Sequence, residues 1–201
     1  MNYKIVLDTE TINLANPFIF DIGFIVIDKK GKKISQHQYI IKEIYDNKPL
    51  FETAFYKDNR EYYEYILKQK IAKKLSLKKT MKEIQKIIKK YEIVEIFAFN
   101  SAFDENAIAY TTKFFEIDNP MKHNFFEDIR KLAKSIYMTN EYKDFIEKND
   151  LYTPKGFIKT TAETTYQFIT QDPTFIEHHT ALQDCEIELQ ILNYIDFPKH
   201  R

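Results

Sequence analysis

Apolar residues come early in this chain as short dense runs and later as spaced stripes. Residues 3–10 (YKIVLDTE), 18–28 (FIFDIGFIVID) and 32–42 (KKISQHQYIIK) are rich in Ile, Val and Phe and predict three successive strands. Asp28-Lys29-Lys30-Gly31 separates the last two, and Asp with Gly suits a hairpin turn. Residues 44–66 are aromatic and charged without a clean period, which predicts loops and a short helix. Over 77–91, Met81, Ile84, Ile88 and Tyr91 recur at helical spacing with Lys on the opposite face. A fourth strand is expected over 92–100, then a helix from Ala102 capped by Ser101. Residues 121–137 predict a short strand or turn and a helix over 128–137. A loop over 140–158 and helices over 161–170 and 181–195 complete the expectation. Three adjacent strands followed by helices alternating with a strand predict an α/β fold, a central mixed sheet flanked by helices, in a single domain spanning 1–201.

Composition narrows the chemistry. The 201 residues are 44% hydrophobic, with 17 Phe and 14 Tyr, enough for a substantial core. Only Gly23, Gly31 and Gly156 are glycine, which excludes a glycine-rich phosphate loop. A single cysteine, Cys185, excludes an internal disulfide and a cysteine-based zinc cluster, and it reads as a small buried hydrophobe. No run approaches the roughly 18 apolar residues of a membrane span, and the chain enters its first strand directly, so a cytoplasmic protein without membrane contact is expected. Net charge is zero, yet Lys68 to Lys90 holds ten Lys against one acid, Glu83. Lys78, Lys79, Lys82, Lys86, Lys89 and Lys90 are expected on a solvated helix face. Lys68, Lys70, Lys73 and Lys74 are the better phosphate contacts.

Three stretches carry the candidate chemistry. In VLDTETINL, Asp8 and Glu10 are two apart on a strand and share a face, where like charges repel unless something positive lies between them. In FNSAFDENA, Asp104 falls in the first turn of a helix. In EHHTALQDCEIE, Thr180 and Gln183 match a capping box, which leaves His179 on a flexible approach just outside the helix and Asp184 inside it. Each alone has an ordinary explanation: a polar strand end, an acid favoured by the helix dipole, a surface histidine near a cap. Together they bring four carboxylates to element ends, where sites on a sheet edge are built. Such a cluster requires cations, and oxygen ligands suit Mg²⁺ or Mn²⁺. Two such ions about 3.5–4 Å apart serve in-line attack on a phosphodiester.

The ordered set D-x-E, N-x-x-F-D and H-x-A-x-x-D resembles the DEDDh family of 3′→5′ exonucleases, over nearly the whole chain from Asp8 to Asp184. His179 fits the motif because Ala181 stands two and Asp184 five residues after it, whereas His178 fails that spacing. The resemblance implies an RNase H-like fold and two Mg²⁺ or Mn²⁺ ions. Asp8 would bridge both ions, Glu10 and Asp184 would complete the nucleophile side, and Asp104 would hold the other ion. His179 would be the general base, with an unperturbed imidazole, and the product a nucleoside 5′-monophosphate. Thr11, Asn13 and Leu14 lie in the turn that the family uses for the terminal nucleotide. Phe103 is a packing or stacking residue, with core packing the first choice, and Asn100 shapes the strand end. Many relatives have Thr-Gly-Leu where this chain has Ile12-Asn13-Leu14, so Asn13 is expected to take the positive φ that glycine allows.

The implied partner is a single-stranded nucleic acid 3′ end, DNA ahead of RNA. An RNA-specific exoribonuclease is the near alternative, and a polymerase-associated proofreading or binding module the other. A polymerase or another nucleic-acid enzyme, and a second copy of the chain, are the protein partners that the resemblance brings in. It assigns no role to residues 44–66.

Overall fold

A computed structural model describes residues 3–196. Six strands, β1 (Lys4–Thr11), β2 (Ile19–Ile27), β3 (Lys33–Ile41), β4 (Lys73–Leu75), β5 (Glu95–Ala98) and β6 (Phe125–Asp128), form one sheet in the order β4-β3-β2-β1-β5-β6. β1, β2 and β3 run antiparallel, while β4 joins β3 and β5 and β6 extend from β1 in parallel. This is the mixed sheet expected. The longer helices are α1 (Arg60–Lys68), α2 (Leu77–Tyr91), α3 (Ser101–Phe114), α4 (Asn140–Lys148), α5 (Ala162–Thr170) and α6 (Ala181–Asp196).

Several expectations are corrected. Residues 44–66 hold more than a short helix: helical turns at Lys48–Phe51 and Lys57–Asn59 lead into α1, which buries Tyr63 and Ile66 one turn apart. Lys73 and Lys74 lie in β4 at the sheet edge, not in a loop. The loop expected over 140–158 begins with α4, capped by Thr139 and burying Tyr142, Phe145 and Ile146. Three apolar residues among charges carried that helix, too few to stand out as a period. The helix expected over 128–137 is two short turns meeting at Ala133. The fourth strand is trimmed because Glu92 closes α2 in the left-handed region, at φ 51°. Ser101 is the first helical residue of α3, and left-handed Asn100 precedes it.

Strand alternation builds two apolar layers. Ile5 and Leu7 join Met81, Ile84, Ala107 and Ile108 on one side of the sheet, and Val6 joins Ile129, Cys185 and Ile191 on the other. α6 lies across β1 and β2 on that second side. Its first turn touches down at Gly23, where an added Cβ would sit 2.4 Å from the backbone carbon of Ala181. Only a glycine allows so close an approach. The Cys185 thiol points to the Gly23 carbonyl, Sγ to O 3.2 Å, and is buried as expected.

Gly23→Ala is therefore expected to destabilise the fold by about 3 kcal/mol, the upper range of overpacking, because the atoms in the way are backbone. A denaturant titration with a wild-type midpoint would show instead that α6 shifts at no cost.

Candidate active site

β1 delivers the first two acids. Asp8 pairs with Gly23 and Glu10 with Asp21 across the β1–β2 ladder, so all four share the face covered by α6. The register breaks between Glu10 and Thr11, which frees the chain to turn away at the strand end. Asp104 arrives from the other layer on the first turn of α3. The Thr9 hydroxyl donates to its Oδ1 at 2.7 Å. Asn100 precedes α3 with φ 67°, and its N–H donates to Asp128 Oδ1 at 3.0 Å, so it shapes the strand end as expected.

The start of α6 differs from the expected capping box. Thr180 Oγ1 donates to the side-chain Oε1 of Gln183 at 2.7 Å. The helix-opening N–H of Ala181 goes to Asp21 Oδ2 at 3.0 Å, so part of the cap comes from β2. Asp21 is fully buried, also accepts from Gln38 Nε2 at 2.8 Å, and burial pushes its carboxyl up to about 7. A carboxyl at a helix N-terminus also matches the helix dipole.

His179 is more firmly held than its approach segment suggested. Its φ is 52°, in the left-handed region that histidine enters more readily than most residues. Tyr56 stacks on its ring at 4.2 Å between centroids and 12° between planes. Asn59 Nδ2 donates to the carbonyls of His178 and His179 at 2.8 and 3.1 Å. Residues 44–66 thus clamp the histidine. Glu177 Oε2 lies 3.8 Å from its Nδ1. Burial lowers the imidazole below its ordinary 6.5, so the unperturbed value expected from sequence is corrected downwards. His178 is exposed and lies outside the cleft lining.

Asp8, Glu10, Thr11, Asn13, Leu14, Phe103, Asp104, His179 and Asp184 all line one cleft of about 1070 Å³. Two details are corrected. Asn13 is not in the left-handed region; its Oδ1 accepts the Asn16 N–H at 2.8 Å and closes the turn by a side-chain bond. Phe103 belongs to neither apolar layer and faces the cleft. Lys68, Lys70, Lys73 and Lys74 do not line the cleft, and Lys74 pairs with Asp46 at 2.8 Å. The cations that line it are Arg130 and Lys159. Sequence reasoning passed over them because they stand alone between ordinary neighbours. It also passed over Phe55, Tyr56, Phe157, Glu177 and Glu188, which line the same space. For Glu188 a signal existed: it follows Asp184 by four residues and shares its helix face.

The acids are poorly reconciled with one another. Among the described residues, no Lys or Arg forms an ion pair with Asp8, Glu10, Asp104 or Asp184. Asp8 Oδ2 and Asp184 Oδ1 are buried with no hydrogen-bond partner. Burial first, and then neighbouring carboxylates, raises Asp8 well above the usual range and Glu10 to about 8; Asp104 and Asp184 are raised too. The Glu10 and Asp184 carboxyls lie side by side, and each shifts the other's proton affinity. One ligand atom each from Glu10, His179 and Asp184 lie within 4.8 Å of one another. The donor set fits a divalent cation, whose charge would offset the crowding of carboxylates.

No family model and no curated protein sequence matches the chain. Solved structures do. One is E. coli exonuclease I in its zinc-bound complex with single-stranded DNA, at TM-score 0.60 and 13% identity over 100% of this chain and 42% of that one. The same enzyme with a dT13 oligonucleotide matches at TM-score 0.63 and 13% identity, over 99% and 41%. The nuclease domain of 3′hExo, a DEDDh family member bound to rAMP, matches at TM-score 0.59 and 11% identity, over 95% and 90%. The chain thus spans about two fifths of the exonuclease I chains it matches. The likeness is one of fold, and the fold is the RNase H-like one of these exonucleases.

The raised carboxyls give a pH dependence. The metal-free folded state keeps protons that the unfolded chain has already released, so stability falls as pH rises from about 5 to about 8. The melting temperature of chelator-treated protein is expected to fall over that range, and Mn²⁺ to raise it most at the alkaline end. A melting temperature independent of pH and of Mn²⁺ would contradict the clustering.

Proposed function

We propose that the chain is a metal-dependent 3′→5′ exonuclease of the DEDDh kind, which releases nucleoside 5′-monophosphates from a single-stranded end, DNA ahead of RNA. The observation that carries this reading is the convergence of Asp8, Glu10, Asp104, Asp184 and His179, from three separate parts of the chain, on one cleft of an exonuclease-like fold.

Asp8, Glu10, Asp104 and Asp184 would hold two Mg²⁺ or Mn²⁺ ions. When bound, such ions activate water and offset charge on the phosphodiester. His179, held by Tyr56 and Asn59, takes the proton of the attacking water, and its lowered pKa keeps it neutral and receptive at physiological pH. Arg130 and Lys159, which line the same cleft, supply positive charge to phosphates. Leu14, Phe55 and Phe157 are 84%, 78% and 68% exposed within the cleft lining. Large apolar groups left open beside an acidic centre suit unpaired bases, which stack without sequence preference. Paired bases present no free faces, so single strands are favoured.

With Mg²⁺ or Mn²⁺, the protein is expected to shorten a 5′-labelled single strand stepwise from its 3′ end and to stop on chelation. Asp8→Asn and Asp104→Asn are expected to abolish shortening, and His179→Ala to slow it about 10²–10⁴-fold. Matched DNA and RNA oligonucleotides, digested side by side, test the sugar preference. No shortening of either with either metal would reject the enzyme reading.

A further inference from the structure

The cleft holds one carboxylate that the four-acid arrangement leaves without a task. Glu188 stands four residues after Asp184 on α6, so both point from the same helix face, about 6 Å apart along the axis. It lines the cleft at 2% exposure. Its carboxylate lies beside the backbone N–H of Phe99, while Oε2 is buried with no partner. Among the described residues, no cation pairs with it.

An unpartnered carboxylate in the interior is costly and is retained only where something compensates it. A packing role would be served better by an apolar side chain, and the surrounding residues of α6, Ile187, Leu189, Ile191 and Leu192, are all apolar and buried. The contact with Phe99 sets which side of the cleft Glu188 serves. Phe99 follows β5, in the turn that leads into α3 and Asp104. Glu188 thereby lies toward Asp104, and it is not part of the group that Glu10, His179 and Asp184 form.

We propose that Glu188 is a fifth carboxylate of the metal centre, facing the cation held by Asp8 and Asp104. This rests on the metal-dependent reading above. Glu188 contributes negative charge to that cation from behind, directly or through a bound water, and strengthens its retention. The mutual repulsion felt by Asp8, Asp104 and Glu188 in the metal-free protein agrees with this arrangement.

Mn²⁺ titration of the full chain, followed by calorimetry and by the electron paramagnetic resonance of free Mn²⁺, tests the assignment. Wild type is expected to bind two Mn²⁺. Glu188→Gln is expected to bind one of them about tenfold or more weakly, in the range typical of residues that support metal ligands. The metal-free variant should also melt above metal-free wild type, since an amide needs neither a proton nor a counter-ion there, and gain less on adding Mn²⁺. Damage to packing would lower that temperature instead. Glu188→Asp keeps the charge and should bind closer to wild type than Glu188→Gln; equal losses in both would assign the effect to packing and overturn the proposal. Unchanged Mn²⁺ affinity in Glu188→Gln, with affinity lost in Asp184→Asn, would overturn it while leaving the exonuclease reading standing. Absence of Mn²⁺ binding in wild type would remove both.

Discussion

The seat of α6 on β2 organises everything else. Gly23 lets the helix backbone descend onto the strand, and Asp21 receives the first helical N–H once it is there. The two contacts are alternate residues of one strand, on the same face as Asp8 and Glu10 of the neighbouring strand. The position of Asp184 relative to Asp8 therefore follows from backbone contact rather than from long side chains. Backbone contacts of this kind leave little slack, as the proposed pair of ions about 4 Å apart would require.

The price of that geometry is electrostatic. Asp8, Glu10, Asp104, Glu177, Asp184 and Glu188 all line one cleft, and Arg130 and Lys159 are the cationic side chains that line it. Burial and mutual repulsion push the four motif acids above their usual range. The fold itself supplies the opposing stability, through two apolar layers clamped on either side of the sheet. A divalent cation would be the natural counterweight, and Glu10, His179 and Asp184 each offer a ligand atom within 4.8 Å of the others.

Much of this was legible in the sequence. The dense runs of β1, β2 and β3 and the stripe of α2 are strong periodic signals, and their boundaries agree to within a residue or so. The spacing around His179 separated it from His178 without any structure. What was not legible depended on contacts between distant parts of the chain. The Asn13 turn is closed by a side-chain bond to Asn16 that no glycine analogy foretold. The capping of Ala181 by Asp21 spans 160 residues, so local capping rules pointed to Thr180 alone. The lysine-rich stretch was the strongest compositional signal for phosphate binding, yet none of its lysines lines the cleft. Density of charge along a sequence says nothing about which layer will carry it.

The clamp on His179 has a consequence of its own. The carboxylates are anchored in β1, α3 and α6, but the histidine ring is oriented by Tyr56 and Asn59, from a stretch between β3 and β4. In the proposed reaction, holding ions and accepting a proton would therefore be mechanically separate duties, assigned to different parts of the chain. Motion in the stretch around Tyr56 would change the timing of proton transfer without disturbing the acids. The same stretch carries Phe55 into the lining of the cleft, where the proposed single strand would enter. Arrival of a base against Phe55 and alignment of His179 would then be a single local event, so that a correctly seated 3′ end sets its own general base.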